Sequence, residues 1–436
     1  MPPIREFEIF CGDCRDILPT LPRLADACIC DPPYGLKFMG KGWDHGVPGV
    51  PYWKAVLNAC KPGAFLLAFG GTRTFHRLAV AIEDAGWEIR DTVMWVYGSG
   101  FPKSHNVGLR IDKLHGAPDR GHRIATANRY HPDGTLEPNG ELLPAYEAKT
   151  EQGKKWQGWG TALKPAWEPI ILARKPFKST VADNVLKYGT GGINIDGCRV
   201  ETEEIITNHS RGEESAISKG KYGDSAAQET HQTAGQQKGR FPANLIHDGS
   251  QEVLELFPNT KGVIRKPTGK GILNPETGWN NNSMTDTTVR GHNDSGSAAR
   301  FFYCAKASKQ DRDEGCESMP AVKSGMSNGA QLHGEGYDKG QDIGLNRVIQ
   351  RRNHHPTVKP TALMRYLVKL VSRPGHTILD PFSGSGSTGK AAILEARQFL
   401  GIELQPEYVQ IATARLSHAV KLHQESSAQH SAVTHH

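Results

Sequence analysis

The chain of 436 residues is 37% hydrophobic and 22% charged, a composition typical of a globular enzyme with room for two or three folded units. These values exclude a collagen-like, coiled-coil or wholly disordered protein. The net charge of +6 is compatible with a polyanionic partner but does not require one.

The basic excess lies in two separated blocks of the sequence. Residues 101–176 contain twelve basic and eight acidic side chains, and residues 351–436 contain ten and five. We expect the two blocks to meet in space around one groove, which would suit a polyanion.

The sequence also bears on the compartment of the protein. No apolar run approaches the ~20 residues that a bilayer span needs, and the first ten residues lack the basic start and apolar middle of a signal peptide. We therefore expect a cytoplasmic protein without a membrane partner. Eight cysteines are too sparse for a disulfide scaffold, so we expect reduced thiols.

The first hundred residues alternate short apolar runs with helical patterns. Strands are predicted at 4–10, 26–31, 64–69 and 88–97, and helices near 52–60 and 75–85. This alternation predicts parallel strands joined by crossover helices, which is one half of a doubly wound α/β sheet with helices on both faces.

Residues 101–350 are rich in Gly, Ser, Asn, Gln and charge, which predicts a loop-rich insertion. The clearest strands within it are predicted at 168–177 and 299–307.

From residue 353 the strand and helix rhythm returns. Helices are predicted at 360–371, from the Gly-rich turn through Arg397, and from 406 to about 422, with strands at 376–380 and 399–403. Residues 423–436 are polar without periodicity, which predicts a disordered tail.

A Gly-rich turn follows the strand at 376–380 and opens a helix. It begins Asp380-Pro381-Phe382 and carries glycines at 384, 386 and 389. Such a turn lets backbone N–H groups and a helix N-terminus approach a ligand. Glu403 ends the next strand 17 residues after Gly386, close to the spacing at which an acidic residue reaches ribose hydroxyls. Together these features predict a cofactor of the adenosine type.

Two other interpretations of this turn are weaker. Residues 384–390 fit the G-x-x-x-x-G-K pattern of a phosphate-binding loop, but Ala391 stands where a Ser or Thr hydroxyl should hold magnesium. An ordinary strand–helix turn without a ligand is the second alternative.

The tetrapeptide Asp31-Pro32-Pro33-Tyr34 ends the second strand. Both prolines lack an N–H, so the Pro32 carbonyl can serve as a preset acceptor beside the Asp31 carboxylate, while Tyr34 offers a flat stacking face. Two acceptors beside an aromatic ring suit the exocyclic amino group of a planar base. A Pro-Pro turn with a surface tyrosine is the plain structural alternative.

With these motifs, the sequence resembles the amino-group DNA methyltransferases that use S-adenosylmethionine. Residues 31–34 look like their catalytic motif, and residues 380–389 look like their cofactor loop. The segment 353–360, with Thr357 and Lys359, is similar to the one that closes over the methionine end of the cofactor. The order of the motifs is that of the β group of the family.

The resemblance implies a Rossmann-like methyltransferase sheet with a circularly permuted motif order and an inserted recognition region. Residues 1–177 would form the catalytic half, with a loop insertion at 101–167. Residues 178–352 would recognise the target, and residues 353–422 would bind the cofactor. The family often places an acidic residue near the cofactor adenine, a role that Asp13 could fill. Asp13 could equally cap the turn that follows it.

The resemblance implies site-specific methylation of adenine N6 in DNA, on a base extruded from the duplex. Adenine is favoured because Asp rather than Ser begins the tetrapeptide. Methylation of cytosine N4, a silent DNA-binding protein with this fold, and an RNA or protein amine methyltransferase are the alternatives. A homodimer and a cognate restriction nuclease are left open, and no metal is expected.

Three further features have two interpretations each. Cys11, Cys14, Cys28 and Cys30 could bind zinc, but their irregular spacing favours buried thiols. Trp156, Trp159 and Trp167 with Lys154, Lys155 and Lys164 could contact nucleic acid or pack a loop onto the sheet. The His-rich terminus could bind metal weakly, but a solvated tail is favoured.

Overall fold

The central feature of the fold is a nine-stranded sheet. A computed structural model describes the following residues: 6–22, 24–36, 46–100, 102, 104–117, 128–130, 136–138, 147–202, 239–261, 264–265, 271–273, 280–285, 290–291, 295–306, 308, 310–324 and 349–433. In chain order the strands of the sheet are β1 Phe7–Cys11, β2 Ala25–Cys30, β3 Cys60–Phe69, β4 Glu88–Val96, β5 Trp167–Arg174, β6 Leu245–His247, β7 Tyr303–Cys304, β8 Thr377–Asp380 and β9 Gln398–Glu403.

The spatial order of these strands is β1-β9-β8-β2-β3-β5-β4-β6-β7. Every neighbouring pair is parallel except the two pairs formed by β5, which runs antiparallel to both β3 and β4. The carboxyl ends of the parallel strands and the amino end of β5 therefore share one edge of the sheet. The last two strands from the chain's C-terminal part, β8 and β9, lie between β1 and β2.

The helices lie between the strands of the sheet in chain order and after the last strand. They are α1 Cys14–Ile17, α2 Val50–Asn58, α3 Phe75–Asp84, α4 Val107–Leu114, α5 Glu151–Lys155, α6 Val181–Tyr188, α7 Gln251–Leu254, α8 Gln310–Asp313, α9 Thr361–Val371, α10 Ser387–Leu394 and α11 Pro406–Val433. Short 3₁₀ turns occur at Leu18–Thr20, Asp196–Cys198 and Ala298–Phe301.

Two hydrophobic layers cover the two faces of the sheet. In β2, Ala27 and Ile29 join one layer with α9, α10 and α11, while Cys28 and Cys30 join the other with α2 and α3. All six residues of β2 are buried, and all of them except Asp26 are apolar, so the strand does not alternate between polar and apolar residues. The expected α/β class with helices on both faces is confirmed.

Short two-stranded antiparallel ladders lie outside the main sheet. They pair 128–130 with 136–138, 259–261 with 295–297, 264–265 with 290–291, 271–273 with 280–285, and 322–324 with 349–351.

The described chain divides into two compact units. The first contains residues 1–98, 167–311 and 358–436, and the second contains 99–166 and 312–357. This division differs from the predicted one, because residues 245–247 and 303–304 of the expected recognition region pair with the sheet as β6 and β7. A strand was predicted at 299–307 in this otherwise loop-rich stretch, whereas none was predicted at 245–247, so β6 is an addition to the expected sheet.

Two local expectations differ from the structure. The segment 299–307 was expected to be one strand, but it forms a 3₁₀ turn followed by the two-residue β7. The helix α11 continues to Val433, whereas the polar sequence predicted an end near Leu422 and a disordered tail. Extending an existing helix adds a hydrogen bond per residue without a new nucleation cost, so weak propensity suffices there.

None of the helices in the described ranges combines the length and apolar character that crossing a bilayer would demand.

Gly389 shows how tightly α10 packs against its neighbours. A Cβ atom at this position would lie 2.6 Å from Cδ2 of Leu416 and 2.6 Å from the ring of Phe399. We predict that Gly389→Ala lowers the free energy of unfolding, since overpacking costs about 1–3 kcal/mol and outweighs a gain in helix propensity of about 1 kcal/mol.

Urea denaturation would measure this change. Gly192→Ala is the matched control, because a Cβ atom at Gly192 meets nothing within 4 Å. An unfolding midpoint for Gly389→Ala that equals or exceeds the wild-type value would contradict the packing argument.

Candidate active site

Several acidic and aromatic side chains lie at the edge of the sheet where the parallel strands end. Asp31 follows β2, Tyr97 follows β4, and Asp380 ends β8. Because β5 runs in the opposite direction, its second residue, Glu168, reaches the same edge from the amino end of that strand. Open parallel sheets bind ligands at this edge.

Asp31 and Tyr34 belong to a compact polar cluster with Glu168 and Lys359. The Tyr34 hydroxyl oxygen lies 2.8 Å from Asp31 Oδ1 and 2.9 Å from Glu168 Oε2. Lys359 Nζ donates to Asp31 Oδ2 at 2.7 Å and to the Tyr34 hydroxyl at 3.2 Å, and it lies 3.2 Å from Glu168 Oε2. We call these four residues the carboxylate cluster.

The charges within the carboxylate cluster stabilise one another. Burial lowers the pKa of Lys359, but the Asp31 and Glu168 carboxylates outweigh that effect and the net shift is upward, so the ammonium stays charged. The same ammonium lies 4.8 Å from the ring centroid of Phe69 and 5.4 Å from that of Tyr34. Removing one partner from a buried pair of this kind costs about 3–5 kcal/mol.

Tyr34 is held by hydrogen bonds at its hydroxyl and at its backbone carbonyl. Its hydroxyl is bound within the cluster, and its backbone carbonyl accepts a hydrogen bond from Thr74 Oγ1 at 2.7 Å. Burial raises the pKa of Tyr34 well above its ordinary value, and the Asp31 and Glu168 charges raise it further, so the hydroxyl keeps its proton. Pro32 is buried and Pro33 is half-buried.

The Gly-rich turn connects β8 to α10 next to this cluster in the sheet. Gly386 caps the helix with φ +75°, and a Cβ atom there would lie 3.1 Å from Cβ of Ala412. A side chain at this position would therefore meet both backbone strain and a close neighbour. Pro381 is buried, and Phe382 packs its ring 5.9 Å from that of Trp53.

Two carboxylates flank the turn. Glu403 accepts from the Gly384 N–H at 2.7 Å and from the Gln405 N–H at 2.9 Å. Burial raises the pKa of Glu403 despite these bonds. Burial also raises the pKa of Asp380 to about 7, against hydrogen bonds from the Thr388 side chain and the Phe382 N–H. The turn thus offers backbone donors and two acidic groups to a ligand.

Asp13 is engaged locally. Its carboxylate accepts from the Arg15 N–H at 2.8 Å, which caps α1, and pairs with the Arg15 guanidinium at 2.6 Å. The hydrogen bond from Arg15 lowers the pKa of Asp13. The capping arrangement is therefore present, while a role toward an adenine stays a prediction.

The segment with Thr357 and Lys359 is divided between the two units. Lys359 belongs to the first unit and joins the carboxylate cluster. Thr357 belongs to the second unit, where it is exposed, and Asn353 is buried there with its side-chain amide donating to the Arg312 carbonyl at 2.8 Å. The predicted contact of both residues with a cofactor stays a prediction.

Sequence reasoning missed Glu168 and Arg415. The sequence identified Glu168 only as the first residue of a predicted strand. The antiparallel direction of that strand, β5, brings Glu168 to the same edge of the sheet as Asp31. Arg415 is buried and donates to the Ser385 carbonyl, to Ser385 Oγ at 3.0 Å and to the Asp311 carbonyl at 2.7 Å. It thereby supports the Gly-rich turn. An arginine on the apolar face of α11, beside Ala412 and Leu416, is the signal that could have found it.

The tryptophans differ in their environment. Trp167 starts β5, whereas Trp156 and Trp159 lie in the second unit with ring centroids 5.1 Å apart and 45% and 60% of their surfaces exposed. Buried Asp112 shapes that region by accepting from the Lys149 N–H at 2.7 Å and from Thr150 Oγ1 at 2.6 Å. Trp156 and Trp159 are therefore exposed to solvent on a segment whose backbone is held by hydrogen bonds to Asp112.

Three of the four cysteines considered for zinc pack as small apolar side chains, whereas Cys11 is exposed. Cys14, Cys28 and Cys30 belong to the hydrophobic layer with α2 and α3, and burial raises the pKa of each. Within the residues that the structure describes, no three His, Cys, Asp or Glu side chains are grouped to hold a metal ion.

A comparison of the sequence with protein families supports the interpretation of these motifs. The model of a family described as DNA methylase, the N6 and N4 methyltransferases, matches residues 25–414. The chain therefore belongs to this family of DNA methylases.

Individual relatives match shorter stretches. The DNA adenine methyltransferase YhdJ of Escherichia coli K12 is 42% identical over 69 residues, which is 16% of this chain and 24% of the relative. The type II methyltransferase M.BglI of Bacillus subtilis is 41% identical over 64 residues, 15% of this chain and 18% of the relative. The matches thus span less than a third of either relative.

One solved structure, M1.HpyAVI in complex with SAM, aligns with 94% of this chain and 98% of its own, at 15% identity and a TM-score of 0.35.

The pKa of Asp380 has a consequence for stability. Because it is raised from 3.8 to about 7, the folded protein holds a proton between these values that the unfolded chain releases. We predict that the free energy of unfolding of the wild type falls, relative to that of Asp380→Asn, as the pH rises from about 4 to about 7.

Urea titrations of both proteins at stepped pH would measure the difference between the two free energies. A difference that stays constant over this range would show that Asp380 does not titrate in this way.

Proposed function

We propose that this chain methylates the N6 amino group of adenine in DNA, with S-adenosylmethionine as the methyl donor. The observation that carries the proposal is the adjacency of β2 and β8, which pair with Leu379 opposite Cys28. The base motif at Asp31 and the cofactor turn after Asp380 therefore follow neighbouring parallel strands. A base and a cofactor bound at these two motifs would meet at one edge of the sheet.

The donor set of the Gly-rich turn fits an adenosine cofactor. Gly386 adopts its positive φ without strain and has no side chain, so the backbone can approach a ligand closely, and the N-terminus of α10 presents backbone N–H groups. Glu403 already accepts two hydrogen bonds and would accept further ones from ribose hydroxyls. S-adenosylmethionine supplies a methyl group on a positively charged sulfur, which needs no metal.

The carboxylate cluster fits the amino group of an extruded base. An exocyclic nitrogen is a poor nucleophile, because its lone pair is delocalised into the ring. Hydrogen bonds from the amino group to Asp31 and to the Pro32 carbonyl would favour a pyramidal nitrogen aimed at the methyl group. Tyr34 is fixed by hydrogen bonds at its hydroxyl and its backbone carbonyl, and its ring would stack against one face of the base.

A DNA substrate is supported by family membership and by one surface. Trp156 and Trp159 are exposed together, and Lys155 and Lys164 nearby in sequence are exposed as well. Aromatic side chains stack on bases and lysines contact phosphates, so we propose that this surface contacts DNA. Reading of the target sequence by residues 178–352 is proposed on their wealth of polar and charged side chains.

Adenine is the proposed base because Asp31 begins the tetrapeptide, and YhdJ, which shares 42% identity over 69 residues, is named as an adenine methyltransferase. Cytosine N4 methylation by the same chemistry is the alternative. A cytoplasmic location is proposed because the DNA on which this family acts lies inside the cell.

Incubating the full chain with duplex DNA and labelled S-adenosylmethionine tests the function directly. We expect N6-methyladenine in the digested nucleosides. N4-methylcytosine alone would change the base, and no transfer to any nucleic acid would favour a silent DNA-binding protein.

Separate variants would distinguish the two halves of the site. Asp31→Asn should lower kcat by about 10² or more and leave cofactor affinity near the wild-type value, since it alters the base subsite. Gly386→Val should weaken cofactor affinity, because a β-branched residue is strained at φ +75° and would meet Ala412.

Calorimetry with S-adenosylmethionine would measure both affinities. Gly375→Val is the matched control, since Gly375 also has a positive φ, +80°, but lies before β8 with nothing within 4 Å of a Cβ atom. Equal loss of cofactor affinity in Asp31→Asn and Gly386→Val would refute separate subsites.

A further inference from the structure

The carboxylate cluster contains one hydrogen fewer than its contacts require. The Tyr34 hydroxyl carries a single hydrogen, yet its oxygen is within hydrogen-bond distance of both Asp31 Oδ1 and Glu168 Oε2. The three hydrogens of the Lys359 ammonium are accounted for by Asp31, Glu168 and the Tyr34 oxygen. With both carboxylates ionised, one oxygen–oxygen contact therefore lacks a hydrogen.

The cluster also has an unbalanced charge. Two carboxylates face one ammonium, which leaves a net charge of −1 among side chains that are only 8–22% exposed. One added proton on either carboxylate would supply the missing hydrogen and neutralise the cluster. The arrangement is thus suited to receive a proton.

We propose that Glu168 is the second proton acceptor of the reaction, linked to Asp31 by the Tyr34 hydroxyl, an inference that rests on the proposed methyl transfer. The amino nitrogen bonds to the methyl carbon while the carbon–sulfur bond breaks and its electron pair stays on sulfur. The nitrogen then loses one proton to Asp31. Glu168 acts through Tyr34 and does not contact the base, so it is a positioning residue.

The second step moves the proton away from the base. Protonated Asp31 donates to the Tyr34 oxygen as Tyr34 donates its own hydrogen to Glu168. Asp31 is again a carboxylate, Tyr34 is again a neutral phenol, and Glu168 holds the proton until solvent takes it. The raised pKa of Tyr34 supports this role, because the hydroxyl passes a proton on without ionising.

The other ionisable groups around the cluster do not replace Glu168. Electrostatic interactions with cluster members involve Cys30, Tyr97 and Asp380. Burial raises the pKa of Cys30, and burial, the Glu168 charge and a hydrogen bond to Glu168 raise that of Tyr97 to about 12. Asp380 is hydrogen bonded to Thr388 and Phe382. Besides Asp31, Glu168 is the carboxylate that the Tyr34 hydroxyl reaches.

Two conservative variants test the relay. Glu168→Gln removes the second acceptor at nearly constant volume, and Tyr34→Phe removes the hydroxyl while keeping the ring. We expect each to lower kcat on the order of 10²-fold, the lower range for a lost proton acceptor, and the double variant to be no slower than either single one. At fixed pH, added imidazole buffer should restore kcat of the variants and leave the wild type unchanged.

The controls separate the relay from folding and from the proposed function. Glu88→Gln alters a carboxylate at the opposite end of β4, paired with Arg174, and should leave kcat unchanged. Multiplicative losses in the double variant, or rates independent of imidazole, would overturn the relay. If Glu168→Gln does not fold, the dependence of kcat on imidazole in Tyr34→Phe still tests the relay. A wild type that binds S-adenosylmethionine but transfers no methyl group would instead refute the proposed function.

Discussion

The ion pair between Lys359 and Asp31 connects parts of the chain that are 328 residues apart in sequence. It is possible only because β8, from the C-terminal part, pairs with β2 from the N-terminal part. A buried ammonium needs negative partners, and a buried carboxylate needs a cation or several donors, so each group holds the other in place. The position of Asp31, and with it the ring of Tyr34, depends on this pair and on Glu168.

The sheet itself makes the site possible. Eight parallel strands direct their carboxyl ends to one edge, and β5, which runs in the opposite direction, adds Glu168 to that edge from its amino end. The base motif and the Gly-rich turn keep separate supports. Asp31 and Tyr34 are held by Lys359 and Thr74, whereas the turn is held by Glu403 and by the buried Arg415. Substitutions in one half can therefore be separated experimentally from effects in the other.

The number of hydrogens in the carboxylate cluster offers a reason why it contains two carboxylates and a tyrosine hydroxyl. If stacking alone were required, the ring of Tyr34 would serve without its hydroxyl, and Glu168 would be needed only to balance Lys359. Two carboxylates joined through one hydroxyl can instead share a proton in a low-dielectric site, where the neutral form is favoured. Methyl transfer to an amino group releases one proton in each turnover, and the cluster has a place for one.

Local patterns in the sequence determined much of the fold and the two main motifs. The apolar runs of β2, β3 and β8, the helices that follow them, the Gly-rich turn and the tetrapeptide at Asp31 were all predicted, because burial on both faces and turn chemistry are written into adjacent residues. Tertiary structure decided what neighbouring residues do not encode. The antiparallel direction of β5 and the places of Glu168, Lys359 and Arg415 depend on how segments far apart in the sequence pack together, and a side chain's partners follow from that packing.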